Sequence, residues 1–222
     1  MKSTRSGGGG LTPIISEGYP FIGGCFVLTL LFGWSFHPLA AVVPFILMLY
    51  FCYFFRNPRR HIEQDPSVVL SPADGTVTDI VPLETDEDGF LQEPCNKVII
   101  FMSVFNVHVN RSPIDGEIKL QKYYCGRFRP AYKDTVGFEN EHHLLGIENS
   151  RMRITVKQIA GILARRIVSY VTLDDKLKQG ELYGMIKFGS CLEVVMPKDV
   201  AVTVEKGQKV MGGKTIIGRI KD

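Results

Sequence analysis

Apolar residues fill the chain from Gly18 to Phe55, a stretch that contains no Asp, Glu, Lys or Arg. The sequence Ser35-Phe36-His37-Pro38 divides it into two runs, Pro20 to Phe36 and Leu39 to Phe55. Each run is close to the lower length at which a helix spans a bilayer. The pattern therefore predicts a membrane-anchoring helical hairpin over residues 18–60, with a buried core hairpin as the alternative.

Cationic residues flank the apolar stretch on both sides: Lys2, Arg5, Arg56, Arg59 and Arg60. By the positive-inside tendency, such flanks keep both ends of the hairpin in the cytoplasm. A cleaved signal peptide is disfavoured, because the apolar run starts late, continues too long and is followed by arginines. We expect a flexible tail over 1–17 and a protein bound to the cell membrane with its remaining domain on the cytoplasmic side.

Beyond Arg60 the pattern changes to short alternating runs separated by Pro and Gly, and helical periodicity is weak. The candidate strands are 68–70, 76–81, 97–102, 117–122, 152–158, 167–171, 192–196, 200–204 and 215–220. The predicted fold is mainly β (α+β), in which the N-terminal hairpin precedes an antiparallel β-sandwich or barrel-like catalytic domain over 61–222 with few short helices.

One short pattern occurs twice, as Ser71-Pro-Ala-Asp-Gly75 and as Ser112-Pro-Ile-Asp-Gly116. Pro presets one backbone dihedral, Asp can bond its own backbone and Gly accepts positive φ, so both copies predict turns before a strand. The pattern alone leaves open whether Asp74 is a turn residue or a functional one.

Charge and cysteine content narrow the function classes. The formal net charge of +3 and the lack of a Lys/Arg-rich run argue against nucleic acid as a partner. Five unevenly spaced cysteines predict neither a disulfide framework nor a zinc site. The adjacent ligand types in Glu139-Asn-Glu-His-His143, expected in a loop or at a helix start, lack metal-binding spacing, so we predict no metal.

Two places could carry chemistry. Gly189-Ser190-Cys191 puts a hydroxyl and a thiol at the start of a predicted strand, and a serine after glycine can also attack the preceding carbonyl. His108 follows a strongly apolar run and precedes a turn, which suits a general base, although a satisfied core histidine is equally compatible with the pattern.

Five separated motifs resemble the short bacterial and archaeal type of phosphatidylserine decarboxylase, over essentially the whole chain after Phe54. They are Phe54-Phe-Arg-Asn-Pro-Arg59, Ser71-Pro-Ala-Asp-Gly75, the run from Ile100 to Gly116, the run from Gln158 to Arg166 and Tyr183-Gly-Met-Ile-Lys-Phe-Gly-Ser190. Cys191, which stands where many members carry arginine, departs from the family pattern.

The resemblance implies a proenzyme that cuts itself between Gly189 and Ser190, so that Ser190 becomes a pyruvoyl cofactor. It assigns Asp74 and His108 to an Asp-His-Ser relay in which Asp74 holds His108 and His108 deprotonates Ser190. The products would be a β chain ending at Gly189 and an associated α chain over 190–222. The pyruvoyl carbonyl would form a Schiff base with phosphatidylserine in the membrane and release carbon dioxide to give phosphatidylethanolamine.

Other functions remain open at this point. An archaetidylserine decarboxylase would act on an ether lipid, a membrane-anchored hydrolase would use Ser190 or Cys191 with His108 without self-cleavage, and a noncatalytic carrier is disfavoured because no modifiable lysine lies at a hairpin tip. The oligomeric state is also open, as is the role of Arg165 and Arg166, which could contact the lipid phosphate or be solvated charges.

Overall fold

The computed structural model describes residues 12–35, 38–86, 88–126, 140–161, 166–187 and 190–221, and for Ser190 it describes the backbone alone. The chain divides into two compact units, Leu11–Arg59 and Arg60–Asp222. The first unit is helical and the second is built from strands.

The first unit is a helical hairpin formed by α1 (Tyr19–Ser35) and α2 (Val42–Phe54). Pro20 and Pro44 lie in the first turns of the two helices, where no intrahelical N–H partner is lost. The base of the hairpin is fastened by backbone hydrogen bonds from Ile15 N to Phe55 O, 3.1 Å, and from Asn57 N to Pro13 O, 2.7 Å. The predicted hairpin is therefore present as two helices.

The surface of the hairpin is apolar on all sides. Trp34 is 93% exposed and Leu39 is 73% exposed, and large apolar side chains are exposed along both helices. The helix from Ser16 to Ser35, which includes a leading 3₁₀ turn, is long and apolar enough to cross a membrane, whereas Pro38–Phe54 is shorter. A helix that is apolar all round favours a nonaqueous environment.

The described residues of the second unit form fourteen strands and no helix. The strands are β1 (Val68–Leu70), β2 (Gly75–Leu83), β3 (Cys95–Met102), β4 (Val109–Arg111), β5 (Gly116–Tyr124), β6 (His142–Glu148), β7 (Arg153–Ala160), β8 (Arg166–Ser169), β9 (Lys176–Leu177), β10 (Leu182–Lys187), β11 (Ser190–Pro197), β12 (Val200–Val202), β13 (Lys209–Val210) and β14 (Ile216–Ile220).

These strands form three sheets in which every described pairing is antiparallel. The largest sheet has the order β13-β2-β3-β11-β7-β6-β5-β9, and the two smaller sheets have the orders β1-β14-β12 and β4-β10-β8. The predicted mainly β fold with an N-terminal helical hairpin is confirmed.

The core lies on one face of the large sheet. Its members alternate along the strands, as in Val98, Ile100 and Met102 on β3, and Leu192, Val194 and Met196 on β11. This alternation is the period of two that an extended chain imposes on a half-buried sheet. The pattern explains why the sequence alone identified both strands.

The repeated pattern at 71–75 and 112–116 is a structural repeat as well. Each copy is closed by its serine, since Ser71 Oγ donates to Ala73 O, 2.7 Å, and Ser112 Oγ donates to Ile114 O, 2.6 Å. β2 starts at the glycine of the first copy and β5 at the glycine of the second. Both strands then carry a register shift at the same distance from that glycine.

The two copies also exchange backbone hydrogen bonds reciprocally. Leu70 N donates to Pro113 O and Arg111 N donates to Pro72 O, both at 2.9 Å. The offset of 41 positions that separates Ser71 from Ser112 also separates the two donors, Leu70 and Arg111, and the two acceptors, Pro72 and Pro113. Reciprocal contacts of this kind define an approximate twofold axis, and the large sheet reflects it, because β13-β2-β3 on one side matches β9-β5-β6 on the other.

Five short or irregular strands escaped the sequence prediction: β4, β6, β9, β10 and β13. β6 falls on His142-His143, which the sequence indicated as a loop or helix start, and β10 contains Gly184. Both are held by neighbours on two sides, which outweighs the weak strand propensity of histidine and glycine. The expectation for 142–143 was therefore wrong.

We expect Gly116→Ala to lower the free energy of unfolding by about 1–3 kcal/mol. A Cβ at this position would lie 2.6 Å from the carbonyl oxygen of Glu148, whereas a Cβ at Gly23 would meet nothing within 4 Å. Thermal denaturation of the detergent-solubilised chain measures the difference, with Gly23→Ala as the control. Equal melting temperatures for the two variants would show that the close strand contact does not constrain position 116.

Candidate active site

Ser190 is the first residue of β11, in the middle of the large sheet. Its backbone pairs with Met102 of β3 on one side and with Ala160 of β7 on the other. Both neighbours are fully buried members of the core cluster. Gly189, the other residue of the predicted cut, lies outside the described residues, as does Arg165. The start of β11 is thus held between two strands in a buried setting.

His108 is connected to Ser190 by two short stretches of chain. It follows Met102, the strand partner of Ser190, by six positions, and its carbonyl accepts a hydrogen bond from Ile186 N at 3.3 Å. Ser190 in turn follows Ile186 by four positions, a length that reaches at most ~14 Å when fully extended. Both connections limit how far the backbone of His108 can lie from the start of β11.

The imidazole of His108 is fully buried and is oriented by a backbone carbonyl. Its Nδ1 lies 3.0 Å from the carbonyl oxygen of Asn106. Because a carbonyl only accepts hydrogen bonds, Nδ1 carries the proton, and the lone pair of the neutral ring is on Nε2. His108 is therefore held in the tautomer whose Nε2 can act as a base.

Asn106 also fixes the turn that presents this carbonyl. Its Oδ1 accepts hydrogen bonds from both the backbone N and the Oγ of Ser103, each at 2.8 Å, and its own N donates to Ser103 O at 2.9 Å. The sequence reasoning missed Asn106 as the orienting residue. An asparagine two positions before the candidate base was the available signal, because asparagine stabilises tight turns.

Asp74, the predicted third member of the relay, makes its described hydrogen bonds elsewhere. Its two carboxylate oxygens receive both ends of the Arg60 guanidinium, Oδ1 at 2.6 Å from Nη1 and Oδ2 at 2.8 Å from Nη2. The backbone N of Gly212 also donates to Oδ1, at 2.8 Å. Asp74 thus joins the first residue of this unit to a turn near the C-terminus, and the relay from Asp74 to His108 stays a prediction.

A second arginine lies near this ion pair. Burial and the positive charge of Arg60 lower the pKa of Arg111, and the Asp74 carboxylate opposes that shift. Arg111 also donates from Nη1 to the carbonyl of Gly180 at 3.1 Å. Arg111 is the last residue of β4, the strand that begins directly after His108, so the ion pair of Arg60 and Asp74 and the segment of His108 belong to one connected region.

Cys191 lies on the opposite face of β11 from the core cluster, in a small apolar group with Ile159 and Ile99. Burial raises the pKa of its thiol, and the Glu193 carboxylate raises it further. A buried thiol that stays protonated is a poor nucleophile. The environment therefore argues against Cys191 as a catalytic residue.

The two adjacent histidines of β6 face opposite ways. His142 stacks on Tyr124 with a ring separation of 4.5 Å, and its Nδ1 donates to the carbonyl of Asn140 at 2.7 Å. The ring of His143 instead contacts Gln158 and Gln121. Since strand alternation separates the two rings, they cannot act together on one metal ion.

Comparison with known proteins gives consistent matches. The family model described as phosphatidylserine decarboxylase matches residues 47–218. A phosphatidylserine decarboxylase proenzyme of Carboxydothermus hydrogenoformans is 46% identical over 206 residues, covering 92% of this chain and 95% of the relative. The proenzyme of Symbiobacterium thermophilum is 42% identical over 210 residues, covering 94% and 96%, respectively.

We expect neutral His108 to carry its proton on Nδ1, because the Asn106 carbonyl accepts a hydrogen bond there. Nitrogen NMR of the protein, isotopically labelled at its histidines, reports which ring nitrogen is protonated. The resonances of His108 are those that disappear in the His108→Gln variant. To prevent any change at position 190 during the measurement, the sample carries Ser190→Ala. A proton on Nε2 would contradict the orientation by Asn106.

Removing the guanidinium from Asp74 should be costly. We expect Arg60→Met to destabilise the fold by ~3 kcal/mol, because it leaves the Asp74 carboxylate, whose side chain is 14% exposed, without its bidentate partner. Thermal denaturation measures the loss, and Arg219→Met, at an exposed arginine, is the control. If both variants melt alike, the ion pair contributes nothing measurable.

Proposed function

The chain belongs to the phosphatidylserine decarboxylase family and is an enzyme, a carboxy-lyase, and from this premise we propose that it cuts itself between Gly189 and Ser190. The cut leaves a pyruvoyl group at position 190, with which the enzyme converts phosphatidylserine to phosphatidylethanolamine. The observation that carries the proposal is the double connection of His108 to the start of β11, through Met102 and through Ile186.

In the first step, Nε2 of His108 takes the proton of the Ser190 hydroxyl, and the oxygen attacks the carbonyl carbon of Gly189. The Asn106 carbonyl supports this role, because it holds the proton of the neutral ring on Nδ1, 3.0 Å away, and stabilises the imidazolium that forms. The bond between Gly189 and the nitrogen of residue 190 then breaks as that nitrogen gains a proton. The result is an ester joining Gly189 to the side chain of residue 190.

In the second step, the α proton of residue 190 leaves together with the ester oxygen. Gly189 becomes a free carboxylate, and residue 190 becomes a dehydroalanine. Its enamine form shifts to an imine, and one water molecule hydrolyses that imine to the pyruvoyl group and ammonia. No external oxidant or metal is needed, because the electrons that form the carbon–carbon double bond come from the broken C–H bond.

The surroundings of position 190 suit a reactive carbonyl. Its strand partners Met102 and Ala160 are both fully buried, which keeps bulk water away from this end of the large sheet. A pyruvoyl group would supply a carbonyl that binds the amine of phosphatidylserine and takes up the electron pair left when carbon dioxide departs. We assign His108 Nε2 to return a proton to the product.

Two cationic residues, Arg166 and Lys187, lie side by side at the end of β10 that leads to the cut. Arg166 of β8 is exposed and pairs in register with Lys187 of β10. Positive charge at this position would attract the phosphate of the lipid headgroup. We therefore propose that this end of β8 and β10 faces the lipid headgroup.

The two products of the cut should remain one protein, a heterodimer of α and β chains. The α chain would supply β11, β12, β13 and β14, and β11 is hydrogen-bonded on both sides by strands of the β chain. Its core residues Leu192, Val194 and Met196 are fully buried. Separating the chains would expose these residues, so cleavage should not release the α chain.

The helical hairpin supports a membrane location. Its exposed apolar surface and the length of the helix from Ser16 to Ser35 suit insertion into the bilayer that holds the substrate. The cationic residues on both flanks of the hairpin favour the cytoplasmic side for the catalytic unit. Residues 18–60 are thus proposed as the anchor and 61–222 as the decarboxylase domain.

We expect wild-type protein to give two fragments by denaturing mass spectrometry and Ser190→Ala to give one intact chain of 24.9 kDa. His108→Gln should slow fragment formation by about 100-fold or more, since a positioned general base contributes about 10²–10⁴-fold. Cys191→Ala should cut normally, because the buried thiol has no part in the reaction.

An intact wild-type chain that is labelled by acyl-type inhibitors would instead support the membrane-anchored hydrolase. Release of carbon dioxide from diacyl phosphatidylserine, compared with the ether lipid archaetidylserine, identifies the preferred substrate. Borohydride treatment of the cut enzyme should abolish release of carbon dioxide by reducing the carbonyl.

A further inference from the structure

A continuous chain of side-chain hydrogen bonds crosses the interior of the catalytic unit toward the strand partner of Ser190. It joins Gln121 to His143 at 3.1 Å, His143 to Gln158 at 3.1 Å, Gln158 to Asn110 at 2.8 Å, and Asn110 to the sulfur of Met102 at 3.8 Å. Gln158, Asn110 and Met102 are fully buried, and His143 is 3% exposed. The function proposed above does not use this series of hydrogen bonds.

One backbone carbonyl fixes the direction of every bond in the chain. Val171 O lies 3.2 Å from the side-chain nitrogen of Gln121, and because a carbonyl only accepts, that nitrogen is the amide NH₂. The same NH₂ contacts Nε2 of His143, so Nε2 is an acceptor and the proton of the ring is on Nδ1. Burial also lowers the pKa of His143, which favours the neutral ring that this arrangement requires.

The same logic continues toward the site. The protonated Nδ1 of His143 donates to Oε1 of Gln158, so the Gln158 NH₂ group points to Oδ1 of Asn110. The Asn110 NH₂ group then donates to the sulfur of Met102. If every hydrogen bond ran in the opposite direction, the side-chain oxygen of Gln121 would face the Val171 carbonyl oxygen, and neither could donate. Only one direction of donation therefore satisfies all the side chains.

The strands leave room for this connection by means of a glycine. Gly184 of β10 pairs with Asn110, and a Cβ at Gly184 would lie 3.3 Å from Nε2 of Gln158 and 2.5 Å from the Val168 carbonyl oxygen. A side chain there would press on the amide that reaches Asn110. Gly184 thus permits two sheets to be joined by a polar contact through the core.

Each end of the Gln158–Asn110 bond is close in sequence to a residue of the site. Asn110 follows His108 by two positions, and Gln158 precedes Ala160, the strand partner of Ser190, by two positions. The bond therefore ties the strand that follows the base to the strand that flanks the cut. Unlike apolar packing, a hydrogen bond between two buried amides has one preferred distance and direction.

We propose that Gln158 and Asn110 are positioning residues for the self-cleavage of this chain, and that His143, through its Nδ1 proton, orients Gln158. The proposal rests on the self-cleavage function proposed above. None of these three side chains is proposed to touch the reacting atoms. They act by holding β4, the strand that begins directly after His108, in place relative to the start of β11. A displacement of 1 Å at a reacting centre costs a reaction about 100-fold.

The first test compares two substitutions on β7. Gln158→Met keeps the length of the side chain but removes both hydrogen bonds, whereas Thr155→Val removes a buried hydroxyl from the other face of the same strand. The rate of conversion of freshly synthesised precursor into two fragments is followed by denaturing gel. We expect Gln158→Met to be at least tenfold slower than wild type and Thr155→Val to be within threefold of it.

Stability is measured separately, with each substitution placed in the uncleavable Ser190→Ala chain. A cleavage rate for Gln158→Met equal to that of Thr155→Val overturns the proposal. A slower rate counts as support where the two Ser190→Ala chains melt within a few degrees of each other. If Gln158→Met does not give a folded chain, the decision falls to the His143 variants.

The second test asks whether the hydrogen-bond donor of His143, and not its bulk, is required. His143→Asn places an amide NH₂ where Nδ1 was and can still donate to Gln158, whereas His143→Leu has a similar volume and no donor. We expect the asparagine variant to cut within threefold of the wild-type rate and the leucine variant to cut at least tenfold more slowly. Equal rates for the two variants overturn the proposal.

The same measurements separate this proposal from the function on which it rests. If wild-type chain is cut and Ser190→Ala is not, while the Gln158 and His143 variants cut at the wild-type rate, self-cleavage stands and the positioning role fails. If wild-type chain is never cut, both the proposed function and the positioning role fail.

Discussion

The structure depends on the pairing of β11 with β3 on one side and with β7 on the other. This double pairing puts Ser190 at the start of a central strand, between two fully buried neighbours. A central strand has its backbone groups satisfied on both edges, so it stays in register even if the chain before it is opened. The fold can therefore tolerate a cut at the entrance to β11, which is the place where the proposed chemistry requires one.

An approximate twofold repeat builds the frame around this strand. The two Ser-Pro-x-Asp-Gly turns begin matching strands, share the same register shift and exchange backbone hydrogen bonds across the axis. The side chains that matter for chemistry do not obey the twofold repeat of the backbone. Asp74 of the first copy binds Arg60 and Gly212, whereas the equivalent Asp115 accepts a hydrogen bond from Asn149. The repeat thus supplies a scaffold, and single residues distinguish its halves.

Two histidines of this unit are oriented in the same way but for different purposes. His108 has its Nδ1 proton held by a backbone carbonyl, which leaves Nε2 as the basic nitrogen. His143 also carries its proton on Nδ1, because the Val171 carbonyl sets the direction of the amides around it. The backbone acceptor contacts the ring of His108 directly, whereas for His143 it acts through the amide of Gln121. Such acceptors keep their place because the strands and turns hold them.

The sequence alone determined the apolar hairpin, the mainly β character and the Gly189-Ser190 dipeptide as a candidate site. These features depend on local composition, on a period of two and on residues adjacent in the chain. The sequence did not show that β6 covers His142 and His143, that Asn106 orients His108, or that Arg60 binds Asp74. The Asn106 contact is local, and the asparagine before His108 was its signal. The contacts of Arg60 with Asp74 and of Gln158 with Asn110 instead join residues that are far apart in the sequence, so whether they meet depends on strand order and register. Hydrogen bonding acts over about 3 Å, so only the tertiary structure could decide which distant polar groups meet.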